Sequence, residues 1–224
     1  MSVLFLDRKH AAEELLKKMK DIVINPDNAN LVVLAIPRGG IIIGDVIASG
    51  FNCSLDIVVS RKIGAEFNPE LAIGAIMPDE SYFINERIAD VIPISQNYID
   101  NQIKKEKVEI ERRLVEFRGS KNYHDKLCDK AIILVDDGIA TGATIIAAAQ
   151  WTKKKLNCRS LIIAVPVAPA RDNTIDRLKE IADMVIISHL VDNFSAVGQF
   201  YDNFSQVSDQ DVKSIMKKHG YNNQ

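Results

Sequence analysis

The sequence predicts an α/β fold in which a parallel twisted sheet carries helices on both faces. Five short apolar runs have the length of strands, and helical patterns separate several of them along the chain. Because the runs are apolar throughout rather than alternating, they are typical of strands that are buried on both faces. The five predicted strands cover residues 31–36, 55–60, 131–135, 160–167 and 184–188.

The first part of the chain predicts two helices around the first strand. Residues 7–24 carry apolar side chains at helical spacing, and Asp7 is a suitable N-cap. Residues 41–50 predict a short helix that leads into the second strand. Arg61 and Lys62 follow that strand directly, so we expect them at its carboxyl end.

The middle of the chain predicts irregular structure followed by one long helix. Residues 62–93 read as irregular, with a short hairpin around residues 82–84. Residues 95–118 predict a helix that Ser95 caps and Gly119 ends. The charged face of this helix is expected to be solvated.

The second half of the chain returns to alternating strands and helices. Helical patterns at residues 142–156 and 171–182 lie between the last three predicted strands. Residues 208–219 predict a C-terminal helix that opens with a capping box made by Ser208 and Asp211.

Composition and charge describe an ordinary globular protein. The 224 residues are 47% hydrophobic and 26% charged, and the net charge of −2 provides no field that would recruit nucleic acid. The three cysteines are far apart, which disfavours a disulfide framework or a zinc site. No apolar run approaches the roughly 20 residues of a membrane helix. We therefore expect a cytoplasmic protein that binds neither nucleic acid nor a membrane.

The stretch VDDGIATGAT, residues 135–144, combines two carboxylates with a loop of small residues. Asp136 and Asp137 follow the third predicted strand, and ligands of parallel α/β sheets bind beyond such strand ends. The small residues let backbone N–H groups approach a ligand, and the N-terminus of the next helix attracts negative charge. Thr141 and Thr144 add hydroxyl donors, so the loop is interpreted as a phosphate cradle.

The acid pair needs a partner other than the phosphate. Carboxylates accept hydrogen bonds from sugar hydroxyls, and they also bind a divalent cation directly or through water. A ligand with a phosphate beside a diol is a ribose 5-phosphate. The alternative interpretation is a strand that ends in two solvated aspartates, followed by an ordinary turn and a capped helix.

This stretch resembles the phosphoribosyl pyrophosphate (PRPP) signature of the type I phosphoribosyltransferases. IPRGG, residues 36–40, lies where that family has its pyrophosphate loop, and residues 62–78 lie where it has a mobile active-site loop. The segments RKIGAEFNPELAIGAI and FSAVGQFYDNFSQVSD extend the similarity to a bacterial and archaeal group of such proteins. The resemblance implies a Rossmann-like type I phosphoribosyltransferase core plus a small hood and an inserted long helix.

The same resemblance implies a single phosphoribosyltransferase domain over residues 1–224. Its core is expected at about residues 28–80 and 128–190, with the inserted helix at about 95–118 and a hood or C-terminal segment at about 190–224. Three roles are open to the long helix: an extension of the hood, a cover for one flank of the sheet, or the interface of a homodimer.

The family's contacts to ribose and phosphate carry over to the matching residues. Its paired acids hold the ribose 2′ and 3′ hydroxyls, which implies Asp136 and Asp137, with Mg²⁺ reached indirectly through PRPP and water. Its pyrophosphate loop implies Arg38, Gly39 and Gly40, and there the family often has a non-proline cis peptide. Its 5-phosphate site implies Gly138, Ala140, Thr141, Gly142, Ala143 and Thr144.

The implied reaction transfers the 5-phosphoribosyl group from PRPP to a nucleobase or similar nitrogen acceptor and releases pyrophosphate. Cations aimed at the leaving group lower the barrier, and Mg²⁺ is the expected cofactor. Closure of residues 62–78 would exclude water. The alternative is a non-catalytic PRPP- or nucleotide-binding regulatory protein with the same fold. The catalytic candidates are Arg38, Arg61, Lys62, Asp136 and Asp137.

The sequence leaves the small-molecule acceptor open. Relatives that use 6-oxopurines have an acid at the position of Ala140, so their route for proton transfer is in doubt here. Relatives that use adenine have a glutamate in the mobile loop, where this chain offers Glu66 and Glu70. Phe194 and Phe200 are candidates to stack on a planar acceptor.

Overall fold

Five strands pair in parallel to form the central sheet of the protein. They are β1 (Leu31–Ala35), β2 (Ser54–Ile57), β6 (Ala131–Val135), β7 (Ser160–Pro169) and β8 (Met184–Val191), numbered in chain order. The computed structural model describes residues 3–23, 30–85, 91, 94–123, 127–171 and 173–221. In it, the order of the strands across the sheet is β2-β1-β6-β7-β8. All five predicted strands and the parallel sheet are therefore confirmed.

Helices cover both faces of this sheet, as predicted. Right-handed connections place the helix after β1 on one face and the helices after β6 and β7 on the other, because the strand order diverges from the β1–β6 pair. No described helix is long and apolar enough to cross a membrane. The helices are α1 (Arg8–Ile22), α2 (Gly40–Phe51), α3 (Gln96–Arg118), α4 (Ala143–Lys155), α5 (Thr174–Ile181) and α6 (Asp209–Lys218).

The β1–β6 pair forms the switch point of the sheet. The two strands are in register, with Ala35 opposite Val135, and their connections leave toward opposite sides. Ligands bind at the carboxyl edge of such a switch point. The loop at residues 36–39 and the loop at residues 136–142 both start from that edge, so the fold brings the two predicted ligand loops together.

A second, antiparallel sheet replaces the irregular segment that the sequence predicts. It consists of β3 (Arg61–Ala65), β4 (Asn68–Ile76) and β5 (Tyr82–Ile84), in that order. Register irregularities between β3 and β4 break the alternation of side chains, which hid both strands in the sequence. The prediction that Arg61 and Lys62 end the second strand is also wrong, since β2 stops at Ile57 and both residues open β3.

The long helix α3 has the predicted bounds and caps. The Ser95 hydroxyl accepts from the N–H of Tyr98, and Gly119 ends the helix in the left-handed region with φ +68°. Its charged face is not all solvated, because Glu106 and Arg118 are buried. Each of these two side chains pairs with an opposite charge on a strand, Glu106 with Arg61 of β3 and Arg118 with Asp56 of β2.

The N-terminal segment and the hood segment pair with each other. The N–H groups of Leu4 and Phe5 donate to the carbonyl of Phe200, and the Asp202 N–H donates to the carbonyl of Phe5. A 3-10 turn, Val197–Phe200, precedes this pairing. Helix α6 follows, and its predicted capping box between Ser208 and Asp211 is confirmed. The start of α1 is therefore held beside residues 200–205.

Candidate functional site

A cavity of about 380 Å³ lies at the switch point of the sheet. One wall is the loop after β6 together with the first turn of α4, and another is β3 and β4 with Lys62 and Leu71. Ser195, at the start of the hood segment, contributes to the rim. The cavity brings together eight of the predicted site residues, namely Lys62, Asp136, Gly138, Ala140, Thr141, Gly142, Ala143 and Thr144.

Close packing fixes the path of the loop. Gly142 is the N-cap of α4 and has φ +75°, a conformation that L side chains rarely adopt. A Cβ at Gly142 would overlap the side chain of Thr174, and one at Gly138 would lie 2.7 Å from Val197 Cγ1. Gly142 makes no side-chain cap to α4, and the first residues of the helix, Ala143 to Ile145, line the cavity, where N–H groups of a helix N-terminus can bind an anion.

The carboxylate of Asp136 lines the cavity, and its surroundings disfavour its charge. Its Oδ1 accepts the N–H of Asp137 at 2.8 Å. Burial raises the pKa of Asp136 well above the ordinary value, and the neighbouring charge of Asp137 raises it further. A bound cation or a donating hydroxyl would favour the ionised form. The site therefore has an acid that a ligand with such groups would stabilise.

Asp137 differs from Asp136 in that its carboxylate binds another side chain of the protein. Arg8 Nε donates to its Oδ2 at 2.8 Å, and the Tyr201 hydroxyl donates to its carbonyl at 2.6 Å. Burial raises its pKa, while the Arg8 guanidinium acts in the opposite direction. It is not among the described residues that line the cavity. Sequence reasoning missed Arg8, which lies in no recognisable motif, and it missed this contact of Tyr201, although Tyr201 lies within the segment FSAVGQFYDNFSQVSD.

The predicted pyrophosphate loop packs directly on the acid pair. The loop has a non-proline cis peptide, which lies between Pro37 and Arg38. A Cβ at Gly40 would lie 3.0 Å from Asp136 Cα, so the loops touch without room for a side chain. Arg38 turns toward α6, where its Nη1 lies 3.5 Å from Asp209 Oδ1.

Replacing Gly39 with Ala should weaken binding of PRPP, the ligand that the sequence predicts, about tenfold or more, because the new Cβ would overlap Asp137 Oδ2 and displace the acid pair. The backbone itself tolerates Ala, since φ is −60°. Titration calorimetry with Mg²⁺ and PRPP measures the effect. Gly220→Ala is the control, with φ +85° and nothing within 4 Å, and should cost about 1–2 kcal/mol of stability without loss of affinity. Unchanged affinity in folded Gly39→Ala would contradict the expectation.

The two predicted cations of β3 face different ways. Lys62 lines the cavity. The Nε of Arg61 donates to Glu106 Oε2 on α3 at 2.6 Å, and Arg61 is not among the described residues that line the cavity. Tyr98, also on α3, donates its hydroxyl to the carbonyl of Gly64 at 2.8 Å. These contacts tie the β3–β4 hairpin to α3.

The predicted acceptor residues lie apart from the cavity or outside what the structure describes. Phe200 is buried in the core, and the ring of Phe194 packs on it at 5.1 Å between centroids. The hood residues that line the cavity are instead Ser195, Ala196 and Val197. Glu66 is exposed in the turn between β3 and β4, and the side chain of Glu70 lies outside the described part of the chain.

The fold and the cavity define an α/β protein with a loop of small residues, a helix N-terminus and a carboxylate at the topological switch point. Within that class, the chain belongs to the phosphoribosyl transferase domain family, whose model matches residues 5–205. This confirms the family and the fold that the sequence predicts, and it supports a transferase.

Two relatives show how far the similarity extends. The Mycobacterium tuberculosis protein named "Putative phosphoribosyl transferase Rv0571c" is 34% identical over 215 residues, which make up 96% of this chain and 47% of the mycobacterial protein. The chain thus spans about half of that relative. The crystal structure of TT1426 from Thermus thermophilus is 30% identical, with a TM-score of 0.75, and the match covers 97% of this chain and 99% of that chain.

Proposed function

We propose that this chain transfers the 5-phosphoribosyl group from PRPP to a nucleobase or similar nitrogen acceptor and releases pyrophosphate, with Mg²⁺ as cofactor. The observation that carries the proposal is the convergence of Asp136, Lys62 and the first turn of α4 on one cavity at the switch point. A phosphorylated sugar would fit a cavity in which a site for an anion lies beside a carboxylate that can accept hydrogen bonds from hydroxyl groups. Family membership supports the same reaction class.

Each part of the cavity has a role in this reaction. The N–H groups of the first turn of α4, with the Thr141 and Thr144 hydroxyls, would bind the 5-phosphate. Asp136 would accept a hydrogen bond from a ribose hydroxyl. The bond from C1 to pyrophosphate oxygen breaks, the acceptor nitrogen bonds to C1, and the acceptor proton is released. Lys62 would stabilise the negative charge that builds on the leaving group.

Asp136 is the residue that would hold Mg²⁺, through ligand oxygens and water. Among the described residues no three acidic, histidine or cysteine side chains form a metal cluster. This fits an ion bound mainly by substrate oxygens, as Mg²⁺ commonly is. When bound, the ion neutralises pyrophosphate oxygens and so makes pyrophosphate a better leaving group.

A PRPP- or nucleotide-binding regulatory protein without turnover is the second candidate. It is favoured by the positions of Arg38 and Arg61, which pair with Asp209 and Glu106 instead of lining the cavity. We further propose that the protein is cytoplasmic and acts on small molecules alone. The homodimer stays a prediction.

The deciding experiment offers a panel of purine and pyrimidine bases to the protein with PRPP and Mg²⁺ and follows pyrophosphate release. Calorimetry with PRPP runs in parallel. Turnover with one base supports the transferase. Binding without turnover on any base favours the regulatory protein. A folded protein that neither binds PRPP nor releases pyrophosphate would contradict both.

A further inference from the structure

Groups from three separate segments of the chain hold Asp137. Arg8 at the start of α1 donates to its carboxylate at 2.8 Å, and Tyr201 of the hood segment donates to its carbonyl at 2.6 Å. Gly39 lies so close that a Cβ there would overlap the carboxylate. The orientation of Asp137 is thus set by the fold before any ligand arrives.

Arg8 uses three parts of its guanidinium at once. Its Nε binds Asp137, its Nη1 donates to the carbonyl of Ser205 at 2.9 Å, and its plane stacks over the ring of Phe204 at 3.8 Å. The residue is 8% exposed. A flat cation with a fixed fork of donors can make these contacts together, whereas the ammonium of lysine cannot.

The contact to Asp137 extends to the acid that lines the cavity. The N–H of Asp137 donates to Asp136 Oδ1 at 2.8 Å, so the position of one residue sets the orientation of the other carboxylate. Only Asp136 of the pair is among the described residues that line the cavity. The two acids are therefore not equivalent. Arg8 contacts Asp137 directly and reaches Asp136 through it.

We propose that Arg8 is a positioning residue for ribose recognition, which acts through Asp137 to hold the Asp136 carboxylate toward the sugar. This rests on the proposed function. In this arrangement Asp136 touches the ligand, and the Arg8–Asp137 pair fixes it. The proposed phosphate site at the start of α4 is built from residues 141–144, whereas Arg8 contacts Asp137, Ser205 and Phe204.

The test compares ribose 5-phosphate with inorganic phosphate by calorimetry, in the wild type and in Arg8→Met. The affinity for inorganic phosphate measures the site at the start of α4 alone. The increase in affinity from phosphate to ribose 5-phosphate measures the contribution of Asp136. We expect Arg8→Met to weaken ribose 5-phosphate binding about tenfold or more and to leave phosphate binding within about twofold. Lys9→Met, an exposed neighbour, should change neither. Arg8→Lys keeps the charge and should recover part of the loss.

The outcomes separate this inference from the proposed function. Equal losses for both ligands, or no loss in a folded Arg8→Met, would overturn the positioning role. If Arg8→Met does not fold, the measurement on Arg8→Lys decides the question. Wild-type affinity of Arg8→Lys for ribose 5-phosphate would overturn the proposal. A wild type that binds phosphate no more weakly than the sugar phosphate also overturns it. A wild type that binds neither ligand nor PRPP removes the proposed function itself.

Discussion

Asp136→Asn should reduce PRPP binding by about 100-fold or more and at the same time raise the melting temperature. The carboxylate that faces the cavity would be lost, and with it the charged hydrogen bond that we propose it makes to the sugar. The amide oxygen of Asn can still accept the N–H of Asp137, so the local structure has the same support. The expected gain is about 1 kcal/mol, or roughly 2–4 °C for a chain of this size.

The sign of the stability change follows from the pKa. Burial and the charge of Asp137 raise the pKa of Asp136 in the folded state. A raised pKa means that the folded protein holds the proton more tightly, so the carboxyl group costs stability as pH rises above its ordinary value of about 4. Below that value it is protonated in both states. The advantage of Asp136→Asn should therefore be present at neutral pH and disappear in acid.

Asp183→Asn is the matched control. The hydrogen bond from Lys153 and the N–H of Leu161 lower the pKa of Asp183, so its removal should cost up to about 1 kcal/mol at neutral pH. It should not change PRPP affinity. Calorimetry with Mg²⁺ and thermal unfolding at two pH values measure both effects. Undiminished affinity in Asp136→Asn would remove the ribose role of this acid.

The neighbouring substitution should give a smaller gain in stability. Burial raises the pKa of Asp137 as it does that of Asp136, but the Arg8 guanidinium acts in the opposite direction, and Asp137→Asn would remove the charge partner of that buried guanidinium. Two adjacent aspartates that look alike in the sequence thus differ in how much their charge costs the fold.

The sequence predicts the site well where its signals are contiguous. The third strand, the acid pair, the small-residue loop and the start of α4 lie within 20 residues, and each has its own local signature. By contrast, the contact between Arg8 and Asp137 spans 129 positions and depends on the packing of the N-terminus on the hood segment. No local pattern reports such a contact.

Two other features were hidden for physical reasons. The β3–β4 pair is irregular in register, so its strands show neither a continuous apolar run nor strict alternation. Phe200 is apolar and aromatic, which suits both a core position and a stacking surface, and only the structure shows that it is buried.

Asp56→Asn should lower the free energy of unfolding by about 3–5 kcal/mol, because it leaves the guanidinium of Arg118 buried without a counter-charge. The two side chains are each 1% exposed. They form a bidentate pair, with Arg118 Nε and Nη2 at 2.7 and 2.8 Å from the two carboxylate oxygens. The guanidinium also stacks over the ring of Tyr123 at 3.8 Å. Since Asp56 lies on β2 and Arg118 ends α3, the pair fixes the long helix to the edge of the sheet.

A double-variant cycle in urea tests whether the pair acts as a unit. Asp56→Asn leaves Arg118 buried without its charge partner, and Arg118→Met does the same to Asp56. The double variant has neither charge, so its loss of unfolding free energy should be smaller than the sum of the two single losses. Glu111→Gln is the control on the same helix, because Glu111 meets Lys121 in an exposed pair and its replacement should leave stability nearly unchanged. Additive costs would show that the two side chains contribute separately. The helix would then be held by its apolar face, through Ile110, Leu114 and Phe117, and not by the charge pair.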